Sequence, residues 1–188
     1  IDVIAGDSAT TPYGGGAWAS RGMAMGGEAA LQAGKALKAN ILDLAASVLQ
    51  TTADALTLED GEIRDAGTRE ARMDLAEVAK AGYFRQDTLP SGTQPELMVT
   101  RHHVPDTPYY VANGVQGAHV EVDIETGFIK LLGWWVADDC GRVVNPLMVD
   151  EQIRGGVIQG IGNTLYEHSQ YDETGQLLNA TLADYLLP

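Results

Sequence analysis

The sequence has a single cysteine, Cys140, which excludes an intrachain disulfide and suits a reducing compartment. It has no apolar run long enough to span a bilayer, and it does not open on a basic-then-apolar leader. Basic residues are scarce. Twelve Lys and Arg against 26 Asp and Glu leave a net charge of −14, so the chain repels phosphate backbones and nucleic-acid binding is not expected. The common nucleotide and hydrolase fingerprints are missing too. There is no G-x-x-x-x-G-K-[ST] and no G-x-G-x-x-G between a strand and a helix. Ser20 is not in a G-x-S-x-G elbow, because Trp18 stands where the first glycine is needed. Metal-ligand spacing is also absent. His102 and His103 are adjacent and point opposite ways in an extended segment. Cys140 follows Asp138 and Asp139 without a C-x-x-C or H-x-x-x-H partner, so it reads as a core or loop residue. Trp18, Trp134 and Trp135 read as packing residues.

What is present is an ordinary apolar fraction, 45%, enough to bury a core at this length. A Gly-rich, Ser/Thr-rich segment occupies 1–22, and Gly14-Gly15-Gly16 marks a loop. Ala30, Ala33, Leu37, Ile41, Leu44 and Val48 then recur at steps of three and four, which predicts a helix over about 22–50 with a frayed first turn. Leu56-Thr57-Leu58 and Glu62-Ile63-Arg64 flank Asp60-Gly61 and predict a hairpin. A short helix is predicted over 73–81. Pro90, Gly92, Pro95 and Pro105 make 85–116 a connector. From Gly117 the period becomes two, with strands over Val120, Val122 and Ile124 and over 128–136, turned at Thr126-Gly127. A helix is predicted over 148–168, with Ile153, Val157, Ile161 and Leu165 on one stripe, and a last hairpin over 171–185. Helices and strands without regular alternation give an α+β class.

Two segments can carry chemistry. In the loop from Gly14 to Gly22, glycines let backbone N–H groups approach a ligand, and the helix start behind them favours an anion. Ser20 adds a hydroxyl and Arg21 can pair with a phosphate. A flexible loop with Ser20 capping the helix accounts for the same residues. The second segment is the helix bearing Gly155, Gly156, Gly160 and Gly162. Each glycine costs about 1 kcal/mol relative to alanine, roughly 4 kcal/mol together, which something should offset. The offset is either a close-packed backbone or a flat cofactor, for which Gln159 offers two donors and an acceptor.

Taken together, the motifs identify a family. Gly6-Asp7-Ser8 and Pro12-Tyr13-Gly14-Gly15-Gly16-Ala17-Trp18-Ala19-Ser20-Arg21-Gly22 resemble a segment of the large, molybdenum-cofactor-binding subunit of the xanthine oxidase family, most like the bacterial aldehyde oxidase and aerobic carbon monoxide dehydrogenase types. Gly117-Ala118-His119-Val120-Glu121-Val122-Asp123, Asp139-Cys140-Gly141-Arg142-Val143-Val144-Asn145-Pro146 and Gln152-Ile153-Arg154-Gly155-Gly156-Val157-Ile158-Gln159-Gly160-Ile161-Gly162 continue the likeness. So do Tyr171-Asp172-Glu173-Thr174-Gly175-Gln176-Leu177-Leu178 and Asp184-Tyr185-Leu186-Leu187-Pro188. The likeness is weakest over 85–113.

The resemblance implies part of a pair of molybdenum-cofactor-binding domains with mixed sheets and long helices. Residues 1–84 would end the first domain and 117–188 belong to the second. It implies molybdenum held by molybdopterin, in the cytosine dinucleotide form, with 2Fe-2S clusters and FAD on other domains or subunits. It implies hydroxylation of an aldehyde or N-heterocycle with oxygen from water. Ala19 would lie near the molybdenum without being a side-chain ligand. Gly14, Gly15, Gly16, Ser20, Arg21 and Gly22 would hold the cofactor's phosphates, Gln159 and Gly160 the pterin end, and Gln152 the distal part. The first residue is Ile1 and the last five are apolar-rich, as expected of an excerpt from a longer polypeptide. The family's catalytic glutamate is expected beyond Pro188, and its pocket-shaping Gln, Phe and Arg before Ile1. No catalytic residue is therefore assigned here, and the chain alone is expected to be inactive, with the 22–50 helix and the 117–136 sheet as its compact parts and apolar surface exposed where the remaining segments and subunits belong. The whole enzyme is expected in the cytoplasm, with periplasmic export as the alternative. A cofactor-free scaffold of the same fold is the competing reading.

Overall fold

The computed structural model describes residues 2–107, 109 and 111–188. Pro108 and Tyr110, inside the expected connector, lie outside the described residues, as does Ile1. The chain divides into two compact units, 1–110 and 111–188.

In the first unit, a π-type turn at Gly22–Gly27 runs into helix α1, Glu28–Leu49. Gln50 ends α1 in a left-handed conformation, its N–H donating to the Ala46 carbonyl. The hairpin follows as β1, Leu56–Glu59, and β2, Glu62–Asp65. Asp60 and Gly61 both take positive φ, 49° and 81°, which matches the right-handed twist of a tight hairpin. A third strand, β3 at Ala71–Asp74, pairs antiparallel with β2 and sets Met73 against Ile63. The sequence pattern misses β3, because Met73 is its one large apolar residue and it exists through pairing. It also shifts the expected 73–81 helix. Asp74 accepts a hydrogen bond from Ala76 N–H at 2.8 Å and so starts α2 at Leu75–Phe84.

The core of this unit lies between α1, α2 and the three-stranded sheet. Leu44, Ile63 and Val78 are fully buried, with Ile41, Ala45, Ala46 and Leu56 around them. Each large apolar side chain removed from water contributes about 1.5–3 kcal/mol. The predicted α1 stripe buries only where this sheet covers it. Ile41 and Leu44 are inside, while Ala30 and Val48 are exposed. Gly82 is close-packed in α2, since a Cβ there would meet Leu44 Cδ2 at 3.0 Å and the Pro95 carbonyl oxygen at 3.2 Å.

The second unit has a two-stranded antiparallel ribbon, β4 at Asn113–Val122 and β5 at Ile129–Asp139, with a bulge near His119 and Val120. It continues into helix α3, Pro146–Leu165, which Asn145 caps by accepting from Met148 N–H at 3.4 Å. Among the described residues of this unit no hydrophobic side chain is buried, and β4 is exposed along its whole length. The ribbon is therefore not the compact element expected at 117–136, because a pair of strands without a facing layer has nothing to bury against. Trp134 and Trp135, expected to pack, are 36% and 61% exposed. The 171–185 hairpin reduces to one bridge, Tyr171 with Leu177, around a turn held by the Asp172 carboxylate. Buried Asn179 ends the pairing. Its amide donates to the His168 carbonyl and its Oδ1 accepts from Gln170 N–H, and the chain then coils at Thr181–Tyr185. Both sheets are antiparallel, and together with the helices they make the chain α+β.

Candidate functional site

The glycine loop is held by its own side chains. Gly15 and Gly16 both have φ of 77°, and Ala19 and Ser20 follow at 50° and 56°. Left-handed backbone costs a residue with a Cβ about 1–2 kcal/mol. Two such residues side by side are a strain that concentrates at ligand sites. Ser20 does not cap the helix. Arg21 holds the N-cap position, with right-handed φ and ψ, and no side chain caps it. A left-handed Ser20 followed by a right-handed Arg21 alternates in the way that forms anion-binding concavities. Trp18 Nε1–H donates to the Gly15 carbonyl at 3.0 Å, and Arg21 Nη2–H donates to the Gly14 carbonyl at 3.1 Å. The Arg21 guanidinium stacks over the Trp18 ring, 5.0 Å from its centroid. Among the described residues Arg21 has no carboxylate partner. Its remaining N–H donors are available to an anion. The π turn behind it is an irregularity frequent at functional sites.

On α3 the relevant residues share a face. Gln152, Gly155, Gly156, Gln159 and Gly160 follow one another at helical steps of three, one, three and one, and all five are exposed. Ile153, Val157, Ile161 and Leu165 run along another face and are half-buried. Among the described residues, a Cβ at Gly155, Gly156 or Gly160 would meet nothing within 4 Å. Gly162 differs, since its Cβ would stand 2.9 Å from Pro188. Intrachain packing thus explains Gly162 and leaves the other three as an open shelf. Gln152 and Gln159 rise beside that shelf, with no side-chain hydrogen bond among the described residues. Asn163, which the sequence reading passed over, lies on the same face at the next step of four from Gln159. Helical spacing is the signal that would have found it.

A flat heterocycle with mixed donors and acceptors fits such a shelf, and a phosphate fits the loop. The two segments fall in different units. Cys140 is exposed just after β5, and no cluster of three or more His, Cys, Asp or Glu poised for a metal ion occurs among the described residues. No helix is long and apolar enough to cross a membrane among the described residues. The acidic groups with lowered pKa serve structure: Lys80 and Arg85 pair with Glu77 on α2, and the others hold turns. Asp123 accepts from the N–H groups of Glu125 and Thr126, and Asp172 from Thr174 and Gln176.

Comparison with known proteins identifies the family. The family model for the molybdopterin cofactor-binding domain matches residues 1–188. The large subunit of nicotine 6-hydroxylase from Paenarthrobacter nicotinovorans is 36% identical over 188 residues, which is 100% of this chain and 23% of that protein. The carbon monoxide dehydrogenase large chain from Hydrogenophaga pseudoflava is 30% identical over the whole chain and 23% of its own length. The crystal structure of quinoline 2-oxidoreductase from Pseudomonas putida 86 superposes with a TM-score of 0.83 at 38% identity, covering 96% of this chain and 23% of that one. The chain spans about a quarter of the length of these relatives.

Proposed function

The chain belongs to the molybdopterin cofactor-binding domain family, and from that premise we propose that it supplies two cofactor-holding segments to the large subunit of a molybdenum hydroxylase. The carrying observation is the α3 shelf: three glycines with open space above them, flanked by carboxamides with no internal partner among the described residues. Gln159 and Gly160 bind the pterin end and Gln152 the distal part. Gly14, Gly15, Gly16, Ser20, Arg21 and Gly22 would hold the phosphates, and Ala19 would lie near the molybdenum without being a side-chain ligand. The family order and spacing of the two segments support this reading.

When bound, the cofactor supplies a metal that takes up electrons as a carbon of an aldehyde or N-heterocycle is hydroxylated by water's oxygen. The chain's residues bind and orient it. Backbone N–H groups and Arg21 neutralise phosphate charge, which matters in a chain of net charge −14. The glycines keep side chains from lifting the pterin off the helix. We assign the proton-transfer residues, the substrate pocket, the 2Fe-2S clusters and FAD to other segments or subunits, so the chain alone does not turn over substrate. A cytoplasmic complex accommodates this arrangement. The test is cofactor analysis of the complete subunit. Molybdenum with a pterin, and CMP released on hydrolysis, is expected. A fully folded subunit with neither metal nor pterin would support the scaffold reading instead.

A further inference from the structure

We propose that Trp18 is a positioning residue, which holds Arg21 and the Gly14–Gly16 turn ready for a phosphate without touching the ligand itself. This rests on the phosphate-binding reading of the loop. Trp18 is 55% exposed and lies outside the core of its unit, so burial does not explain it. Its two ends do different things. The indole Nε1–H donates to the Gly15 carbonyl at 3.0 Å, which closes the loop back on itself. The ring face carries the Arg21 guanidinium at 5.0 Å. Arg21 in turn donates to the Gly14 carbonyl at 3.1 Å, so indole and guanidinium tie down adjacent carbonyls of one turn.

This arrangement turns those two carbonyls toward side-chain donors and away from an incoming anion. It also fixes the long Arg21 side chain, whose freedom would otherwise be lost on binding. Only one hydrogen bond of the guanidinium is used internally, out of five N–H donors, so most remain for phosphate oxygens. Gly15 completes the clasp. A Cβ there would contact Arg21 Nη1 at 3.5 Å, and its φ of 77° suits glycine.

The test is a double-mutant cycle on the complete subunit, prepared without cofactor and titrated with inorganic pyrophosphate, with molybdenum content of the loaded protein as a second readout. Trp18→Leu removes ring and donor and is expected to weaken pyrophosphate binding about fivefold. Trp18→Phe keeps a stacking face and is expected to recover part of that loss. In an Arg21→Ala background, Trp18→Leu is expected to add little, because the residue it positions is gone. Equal losses from Trp18→Leu in both backgrounds would overturn the positioning role and leave the phosphate reading intact. Wild-type pyrophosphate affinity in Arg21→Ala would overturn both.

Discussion

Replacing the shelf glycines of α3 by alanine separates three explanations, because each gives a different pair of signs. In this chain a Cβ at Gly155, Gly156 or Gly160 enters open space among the described residues. Alanine costs a helix about 1 kcal/mol less than glycine, so each replacement should stabilise the cofactor-free subunit by about that amount, a factor of roughly five in the folding equilibrium. The same methyl should lift a flat ring off the helix. Molybdenum per protomer should therefore fall in Gly156→Ala and Gly160→Ala while the cofactor-free melting temperature rises. Gly162→Ala is the internal contrast. Its Cβ meets Pro188 at 2.9 Å, so it should lower stability. The assays are thermal unfolding without cofactor and molybdenum analysis with it. If the shelf glycines instead pack against another protein segment, alanine will destabilise the cofactor-free subunit. If nothing approaches them, stability will rise and molybdenum content will not change. Either result refutes the shelf assignment.

Gln159→Ala should cost about 1–3 kcal/mol of cofactor or transition-state binding, read as lost molybdenum or lost activity per molybdenum, while exposed Lys35→Ala should change neither. Leu44→Ala should destabilise the first unit by about 2–5 kcal/mol in denaturant unfolding, because Leu44 is fully buried against Ile63 and Val78. The hydrogen bonds from Thr174 and Gln176 hold the Asp172 carboxyl below its ordinary value of 3.8, and those from Glu125 and Thr126 do the same for Asp123. A depressed folded pKa stabilises the fold above the unfolded value and loses that contribution as pH falls through the folded one. Both turns should therefore hold near neutrality and loosen only below about pH 3.8, which NMR titration of the two carboxylates checks. The purified chain alone should show no hydroxylation of aldehydes or N-heterocycles, and metal-dependent turnover by it would contradict the assignment of proton transfer to other segments.

Elements with their own periodicity were legible in the sequence. α1 and α3 carry apolar stripes at helical steps, and the β1–β2 hairpin carries Asp60-Gly61 at its turn. What escaped depends on partners. β3 exists because β2 is beside it, and the 171–185 pairing stops because buried Asn179 captures the His168 carbonyl. Burial was misjudged where pattern and partner part company. β4 alternates over Val120 and Val122 and β5 is apolar-rich, yet the described residues give them no facing layer. In the candidate site, the glycines and Gln159 could be read as a set, but not the left-handed pair Ala19 and Ser20. Nor could the Trp18 and Arg21 clasp, whose geometry depends on backbone that no periodicity encodes.

That the loop and the α3 face each bind the molybdenum cofactor is tested most directly by molybdenum and pterin per protomer in the complete subunit, measured for wild type, Arg21→Ala and Gln159→Ala under identical loading. One molybdenum-bearing pterin in the wild type, with metal and pterin falling together in both variants, is the predicted result. Full metal and pterin in both variants would contradict it.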